Sequence, residues 1–364
     1  LTLGPVVRGN LSEMRRQASR VFAKARLGQD AVAEKRAAIG EGKTVGGLVD
    51  DYLDERKADL KPRSYIEINR HLKTHWKPLH SYRVKVIGRQ DIVRIMDDLA
   101  DDHGKGSADR ARSALSTFFA WTIDRNYRDD NPTLNIRPRA AKPTKSRVLS
   151  ESELRDIWAA CLDDDYGNIV KLLMLTLQRR SEIGDLSNSE IDAAARQVLL
   201  PEYRTKNGRP HIVPLSEEAW TIVSSVPKRD GRDLLFGLRE GGYSGWSKSK
   251  AELDERIAIA RQRAGLEKSM PPWTLHDLRR TGSTLLHESG IAQPHVVEAI
   301  LNHVSGHQAG VAGIYNKALY LAERRAALGS WGKLIADLVK NEANSREGDS
   351  RSQLAAADIV SNAG

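Results

Sequence analysis

Apolar residues recur every three or four positions along most of this chain, and short polar turns interrupt them. From Thr44, the residues Val45, Leu48, Val49 and Tyr52 keep a helical period to about Lys57. Pro62 restarts the pattern with Tyr65, Ile68 and Leu72. Ile87 and the turn Arg89-Gln90-Asp91 introduce a third face of Ile92, Ile95, Met96 and Leu99. Residues 103–107 read as a Gly-containing loop, and Ala108 to Asp124 as a fourth helix burying Ala111, Ala114, Leu115, Phe118, Phe119 and Trp121. Four helices with short connections predict a helical domain over residues 41–136. Residues 1–40 hold two shorter patterns, one capped by Ser12 and one from about Asp30 to Ala38. Forty residues bury a poor core alone. They read as the end of a small domain, and the start at Leu1 leads us to expect a preceding segment.

The second half changes character. Ser150, with Glu151 and Glu153 behind it, signals a helix start. The run from Ile169 to Leu177 is almost wholly apolar, which places it mid-core. Gln197 to Leu200 and His211 to Leu215 are β-prone arms around Thr205-Lys206-Asn207-Gly208, and Asn-Gly is a hairpin signal. Helical patterns follow over Glu217–Val223, about Ser249–Ala264, from Thr274, over Gln293–Leu301 and over Leu321–Leu338. The expectation is a domain at 150–340, mixed α/β, within a chain that is mainly α with a small antiparallel β-hairpin or sheet. Residues 341–364 lose the pattern and read as a flexible tail.

Charge sharpens this outline. The 364 residues suit two or three domains and carry a net charge of +9. A polyanionic partner follows, nucleic acid first and an anionic membrane surface second. No run is long and apolar enough to span a bilayer, and no secretory leader is read. The lone Cys161 lies on an apolar pattern and reads as a buried thiol. From Lys57 to Arg89, nine Lys and Arg residues face only Asp59 and Glu67. Among them Lys61, Arg63, Arg70 and Lys73 are candidates for DNA phosphate contacts, with a solvated surface as the alternative. Residues 137–149 form a basic stretch with Pro138 and Pro143, which stop a helix. This interdomain linker offers Arg139, Lys142 and Lys145 to a phosphate backbone, or acts as a plain spacer.

Candidate chemistry concentrates between Trp273 and Tyr320, which hold His276, Arg279, His303, His307, Tyr315 and Tyr320. His276 and Arg279, three apart, share one helical face. Imidazole trades protons near neutrality, and a nearby tyrosine can act as a nucleophile. No His/Cys/Asp cluster has metal-ligand spacing, and no cofactor is called for.

The order of these residues resembles the tyrosine recombinase (phage integrase) family, and within it prophage and genomic-island integrases. The resemblance rests on Leu175-Thr176-Leu177-Gln178-Arg179-Arg180-Ser181-Glu182, the hairpin Lys206, His276-x-x-Arg279, Leu301-Asn302-His303 and Ile314-Tyr315-Asn316-Lys317. It covers nearly all of the chain except the tail. Leu177 and Asn302 stand where the family often has glycine. The resemblance implies a catalytic set of Arg179, Lys206, His276, Arg279, His303 and Tyr315. Arg180, His307 and Tyr320 are the weaker alternatives for their respective roles, and Glu182 and Asp185 look like carboxylates that orient the arginine. It also implies a 3′-phosphotyrosyl intermediate without metal or nucleotide, an arm-binding domain ending at residues 1–40 and a core-DNA-binding domain at 41–136. The implied partners are double-stranded DNA attachment sites, a homotetramer on paired sites, a DNA-bending accessory protein and an excisionase. The implied setting is the bacterial cytoplasm, at the nucleoid. A type IB-like topoisomerase and a catalytically idle DNA-binding protein are the competing readings.

Overall fold

The computed structural model describes residues 19, 42–141, 147–266, 269–303 and 319–340. The expectations for the rest of 1–40, for Lys142, Lys145, His307 and Tyr315, and for the tail at 341–364 lie outside the described residues. The chain divides into two compact units, residues 1–144 and 145–364.

The first unit is helical. Helix α1 (Val45–Arg56) is capped by the Thr44 hydroxyl, which accepts from the Gly47 amide at 3.3 Å. Helix α2 (Pro62–Arg70) continues directly into a π-helical turn at His71–His75. Helices α3 (Arg89–His103) and α4 (Lys105–Asp124) lie on either side of one residue, Gly104. The sequence pattern puts a loop at 103–107 and starts α4 at Ala108. Instead Gly104 alone makes the reversal at φ +82°, a region open to residues without a Cβ. Ser107 and Ala108 are thereby helical and buried. The core joins Leu48, Tyr52, Leu72, Trp76, Ile92, Met96, Leu115, Phe118 and Phe119. The indole of Trp76 donates to the Ala111 carbonyl at 2.8 Å, so burying this ring leaves no polar atom unpaired. Trp121 is only partly buried and donates to Glu55.

The second unit is built around α6 (Asp165–Thr176), which is buried from Ile169 through Thr176 except at Lys171. Around it stand α5 (Glu151–Ala160), α7 (Arg180–Gly184), α8 (Glu217–Ser225), α9 (Trp246–Arg263), α10 (Leu275–Glu288), α11 (Pro294–Ile300) and α12 (residues 321–340). Ser150 caps α5 through a reciprocal pair with Glu153, as its sequence suggests. The indole of Trp331 on α12 donates to the Met174 carbonyl at 2.8 Å, anchoring the last helix on the central one.

An antiparallel sheet of three strands completes the unit, in the order β1 (Ile191–Asp192), β2 (Gln197–Leu200), β3 (His211–Pro214). Ile191 pairs with Val198 and Leu200 with His211. The sequence pattern yields two arms; Ile191–Asp192 is a third. The β2–β3 connection is a loop over residues 201–210 rather than a tight Asn-Gly turn, because Glu202–Arg204 forms a short 3-10 turn first. The molecule is thus mainly helical with a small antiparallel sheet. No helix among the described residues is long and apolar enough to cross a membrane.

Candidate active site

Arg279 lies on the inner face of α10 and is 3 % exposed. Its Nη1 donates to the Leu177 carbonyl at 2.6 Å, and its Nη2 donates to the Leu301 carbonyl. Leu177 is the C-cap of α6 and Leu301 the C-cap of α11. A buried guanidinium therefore sits across the negative ends of two helices. Burial and the charge of Arg179 pull its pKa down to about 10, so it stays cationic at neutral pH.

The carbonyl of Leu177 is aimed by an uncommon backbone. Leu177 adopts φ +59°, the left-handed cap that glycine takes without cost. Its side chain is fully buried against Gly282 of α10, where an added Cβ would lie 2.1 Å from Leu177 Cδ2. Packing thus holds a leucine where the local backbone favours glycine.

Arg179 follows in the turn leading into α7. The Glu182 carboxylate is 1 % exposed; it accepts from the Arg179 backbone amide at 2.9 Å and from Arg179 Nη1 at 2.9 Å. One acid fixes both the turn and the side chain it presents. Asp185 lies 3.8 Å from Arg204. Arg180 turns elsewhere and lies over the Trp246 ring, 4.9 Å from its centroid. A cleft of about 320 Å³ opens there, lined in part by Arg180, Trp246, Lys250, Trp273 and His276.

His276 occupies the first turn of α10 and is exposed. The helix start is fixed by Asp277, whose Oδ2 accepts from the Thr274 amide and hydroxyl at 2.8 Å each. Partial desolvation, then Arg280 and Arg279, hold the His276 imidazole below its ordinary range. It is neutral at pH 7 and able to accept a proton.

His303 follows α11. Its Nε2 lies 3.2 Å from Arg279 Nη2, and its Nδ1 lies 3.4 Å from Glu298. A guanidinium can only donate, so Nε2 accepts and the ring proton sits on Nδ1, facing the carboxylate. Desolvation first, and the Arg279 charge second, lower the His303 pKa.

Lys206 is exposed on the β2–β3 loop. The next residue, Asn207, donates from Nδ2 to the Asn302 carbonyl at 3.0 Å and to Asn302 Oδ1 at 2.9 Å. Asn302 has φ +48° and directly precedes His303. This clasp brings the Lys206 loop to the rim that carries His303. The structure thus gathers Arg179, Arg279, His276 and His303, whose charges act on one another, and ties the Lys206 loop to them. Tyr315 lies outside the described residues. Tyr320 precedes α12, with its ring 4.8 Å from that of His295.

The other candidate residues are on the first unit. Lys61 and Arg63 are exposed near the start of α2. Arg70 pairs with Glu67 at 2.9 Å, and Lys73 with Asp50. Arg139 is engaged within the unit: its Nε donates to Asp97 at 2.6 Å and its backbone amide to Asp109 at 2.8 Å.

Sequence reasoning passed over Gln178, Glu298 and Arg324 and gave His211 no function. His211 is buried, and its Nε2 lies 3.1 Å from Gln178 Oε1. A signal for Arg324 existed. It shares the inner helical face of Leu328, Trp331 and Ile335, where a cation is out of place unless bonded.

The mixed unit gathers arginines and histidines around one rim, and comparison identifies the family of this unit. Residues 147–320 match the Phage integrase family, so the second unit carries a domain of that family, the tyrosine recombinases. The chain is 34 % identical over 219 residues to Prophage integrase IntA of Escherichia coli (strain K12), covering 58 % of this chain and 49 % of that protein. It is 28 % identical over 276 residues to Prophage integrase IntZ of the same strain, covering 72 % of this chain and 65 % of that protein. The chain thus matches about half of one relative and about two thirds of the other. It also shares its fold with the crystal structure of a lambda integrase tetramer bound to a Holliday junction, with TM-score 0.55 and 18 % identity, covering 85 % of this chain and 91 % of that one. The lambda integrase dimer bound to a COC' core site gives TM-score 0.55 and 19 % identity, over 83 % and 86 % of the two chains.

Proposed function

We propose that this protein is a site-specific DNA recombinase that cuts and rejoins DNA through a tyrosyl phosphodiester, integrating or excising a mobile element. The observation that carries the reading is the buried Arg279, locked by two helix C-termini and facing His303, beside an Arg179 aimed by Glu182. Two fixed cations and two imidazoles suit a phosphodiester whose nonbridging oxygens gain charge during reaction.

In this reading Tyr315 Oη attacks phosphorus and the 5′-oxygen leaves. The neutral His276 accepts the tyrosine proton, and the Lys206 ammonium donates one to the departing 5′-oxygen. A phosphotyrosyl ester and a 5′-hydroxyl result, and the energy of the broken bond is kept in the ester. A 5′-hydroxyl of the partner strand attacks that ester and reverses the proton movements. Arg179 and Arg279 hold the nonbridging oxygens. His303 now accepts from Arg279, so it must turn or gain a proton before it can donate to phosphate.

Four strands must be exchanged, so we propose a tetramer on two sites, as in the lambda integrase complex with a Holliday junction. Lys61, Arg63, Arg70 and Lys73 would add phosphate contacts, with Arg139, Lys142 and Lys145 as further candidates. A bending protein and an excisionase extend the proposal. The domain roles follow the same reading: 1–40 ends an arm-binding domain, 41–136 binds core DNA, 137–149 links, and 150–340 carries the chemistry.

The test uses duplex DNA that the protein itself enriches from a random pool, nicked to trap the product. Wild type should form a covalent adduct and Tyr315→Phe none, with DNA binding retained. An adduct from Tyr315→Phe but not from Tyr320→Phe would move the nucleophile to Tyr320. Relaxation of any supercoiled plasmid with no preferred site would favour a topoisomerase. Binding without adduct in wild type would leave a DNA-binding protein.

A further inference from the structure

We propose that His211 is a positioning residue: with Gln178 and Arg324 it ties α12, the helix after the Tyr315 segment, to the turn that presents Arg179. This deepens the recombinase reading and rests on it for its catalytic consequence.

Arg324 lies on the first turns of α12 and is 4 % exposed. Its acceptors are neutral. Nη2 donates to the Ile212 carbonyl and lies 3.3 Å from His211 Nδ1, and Nη1 donates to the Leu319 carbonyl at 3.3 Å. A guanidinium has no lone pair to offer, so His211 Nδ1 accepts. The His211 proton must then sit on Nε2. From there it faces Gln178 Oε1 at 3.1 Å and the Ile300 carbonyl at 3.2 Å. Gln178 Oε1 is therefore an acceptor, which fixes the amide the other way round. Its Nε2 donates to the Thr176 carbonyl at 2.7 Å and to the Ile300 carbonyl at 3.1 Å.

The result is a one-way chain: Arg324 donates to His211, His211 to Gln178, and Gln178 to the carbonyls ending α6 and α11. Each donor orients the next, and Gln178 is bonded in sequence to Arg179. Burial and the Arg324 and Arg279 charges push the His211 pKa down to about 3, so the chain keeps its direction through the neutral range. A leucine at 211 would fill the space and break the chain. A glutamine can accept with its oxygen and donate with its nitrogen, so it can rebuild it. Ordering of α12 is felt at the arginine turn through this chain, across three separate stretches of sequence.

The experiment uses the whole chain. Nitrogen-15 histidine spectra should show His211 as the Nε2–H tautomer, unchanged from pH 5 to 8; an Nδ1–H tautomer overturns the proposal. Hydrogen exchange is then compared in Arg324→Met, His211→Leu, their double variant and His211→Gln. Both single variants should speed exchange across residues 175–183. They should also slow adduct formation on the enriched, nicked duplex by about tenfold or more, as small misplacements of a catalytic group do. Affinity for that duplex should not change. The double variant should match the worse single, because one chain broken twice is still one chain. His211→Gln should recover most of the rate. Faster exchange confined to residues 319–340, or additive single effects, would show packing alone and overturn the coupling. If wild type forms no adduct, the recombinase reading falls, while exchange at 175–183 still decides whether α12 and the turn are coupled.

Discussion

The cations proposed for DNA phosphate on the first unit and the arginines of the candidate site in the second are held in opposite ways. On the first unit, Arg70 and Lys73 sit at the surface beside Glu67 and Asp50, in pairs that water weakens. In the second, Arg279 is buried on the carbonyl ends of two helices, and Arg179 is gripped by a carboxylate with 1 % exposure. Exposed cations offer charge with little geometry. Those of the site have given up hydration in whole or in part and are held by directed hydrogen bonds. The first arrangement suits contacts that share a load, and the second suits contacts that act at one atom.

Arg279→Ala should expose this difference most strongly. Adduct formation should fall by about 10² to 10³, the loss seen when an oxyanion donor is removed. Arg279→Lys should not rescue it, since one ammonium cannot hold two carbonyls as the planar fork does. Single-turnover rates on the nicked duplex check this, and near-normal rates for the lysine variant would mean that charge alone matters.

Arg179→Ala should add a folding defect to a comparable rate loss. It leaves the buried Glu182 carboxylate with the residue-179 amide but without its countercharge, a penalty of about 1–3 kcal/mol or more. Adding Glu182→Gln should restore stability in urea titrations but not the rate. Recovery of both would remove Arg179 from the chemistry.

Acid should act through the buried imidazoles. His71, pressed against His75 with Nδ1 atoms 3.0 Å apart, is pushed down to about 4 by burial first and His75 second. His211 is pushed down to about 3. Unfolded, each would titrate at its ordinary value of about 6.5. The unfolded state then binds more protons below that pH, so stability is full above about pH 6.5 and is lost as pH falls. Each histidine contributes up to about 1.4 kcal/mol per pH unit, lost down to its folded pKa. His71→Leu should flatten the acid limb of the urea midpoint; an unchanged slope would place the proton uptake elsewhere.

Arg63→Ala should have the mildest effect. DNA affinity should weaken, and the slope of log affinity against log salt should shrink by about 0.9, one phosphate contact. Adduct formation at saturating protein should not change. A rate loss at saturation would make the surface cation act as the buried ones do.

Much of this was legible in the sequence because periodicity records burial. The four faces of the first unit, the apolar α6 and the spacing of His276 and Arg279 all emerge from that rule. What was hidden depends on groups brought together from afar. Glu182 holds both the backbone amide and the side chain of Arg179, and a separation of three residues cannot show that; the turn of α7 does. His211 looked ordinary because its partners come from residues 178, 300 and 324. The helix break at Gly104 was misjudged in width because one glycine at positive φ replaces a loop of five.

Leu177 and Gly282 also bear on how such a site changes over generations. The leucine fills the space that any side chain at 282 would need, at 2.1 Å from the position of its Cβ. Replacing Gly282 with alanine would force the Leu177 side chain to shift. Glycine at 177 relieves the left-handed backbone but opens a hollow behind the carbonyl that holds Arg279. The less strained route from one packing to the other therefore changes residue 177 before residue 282.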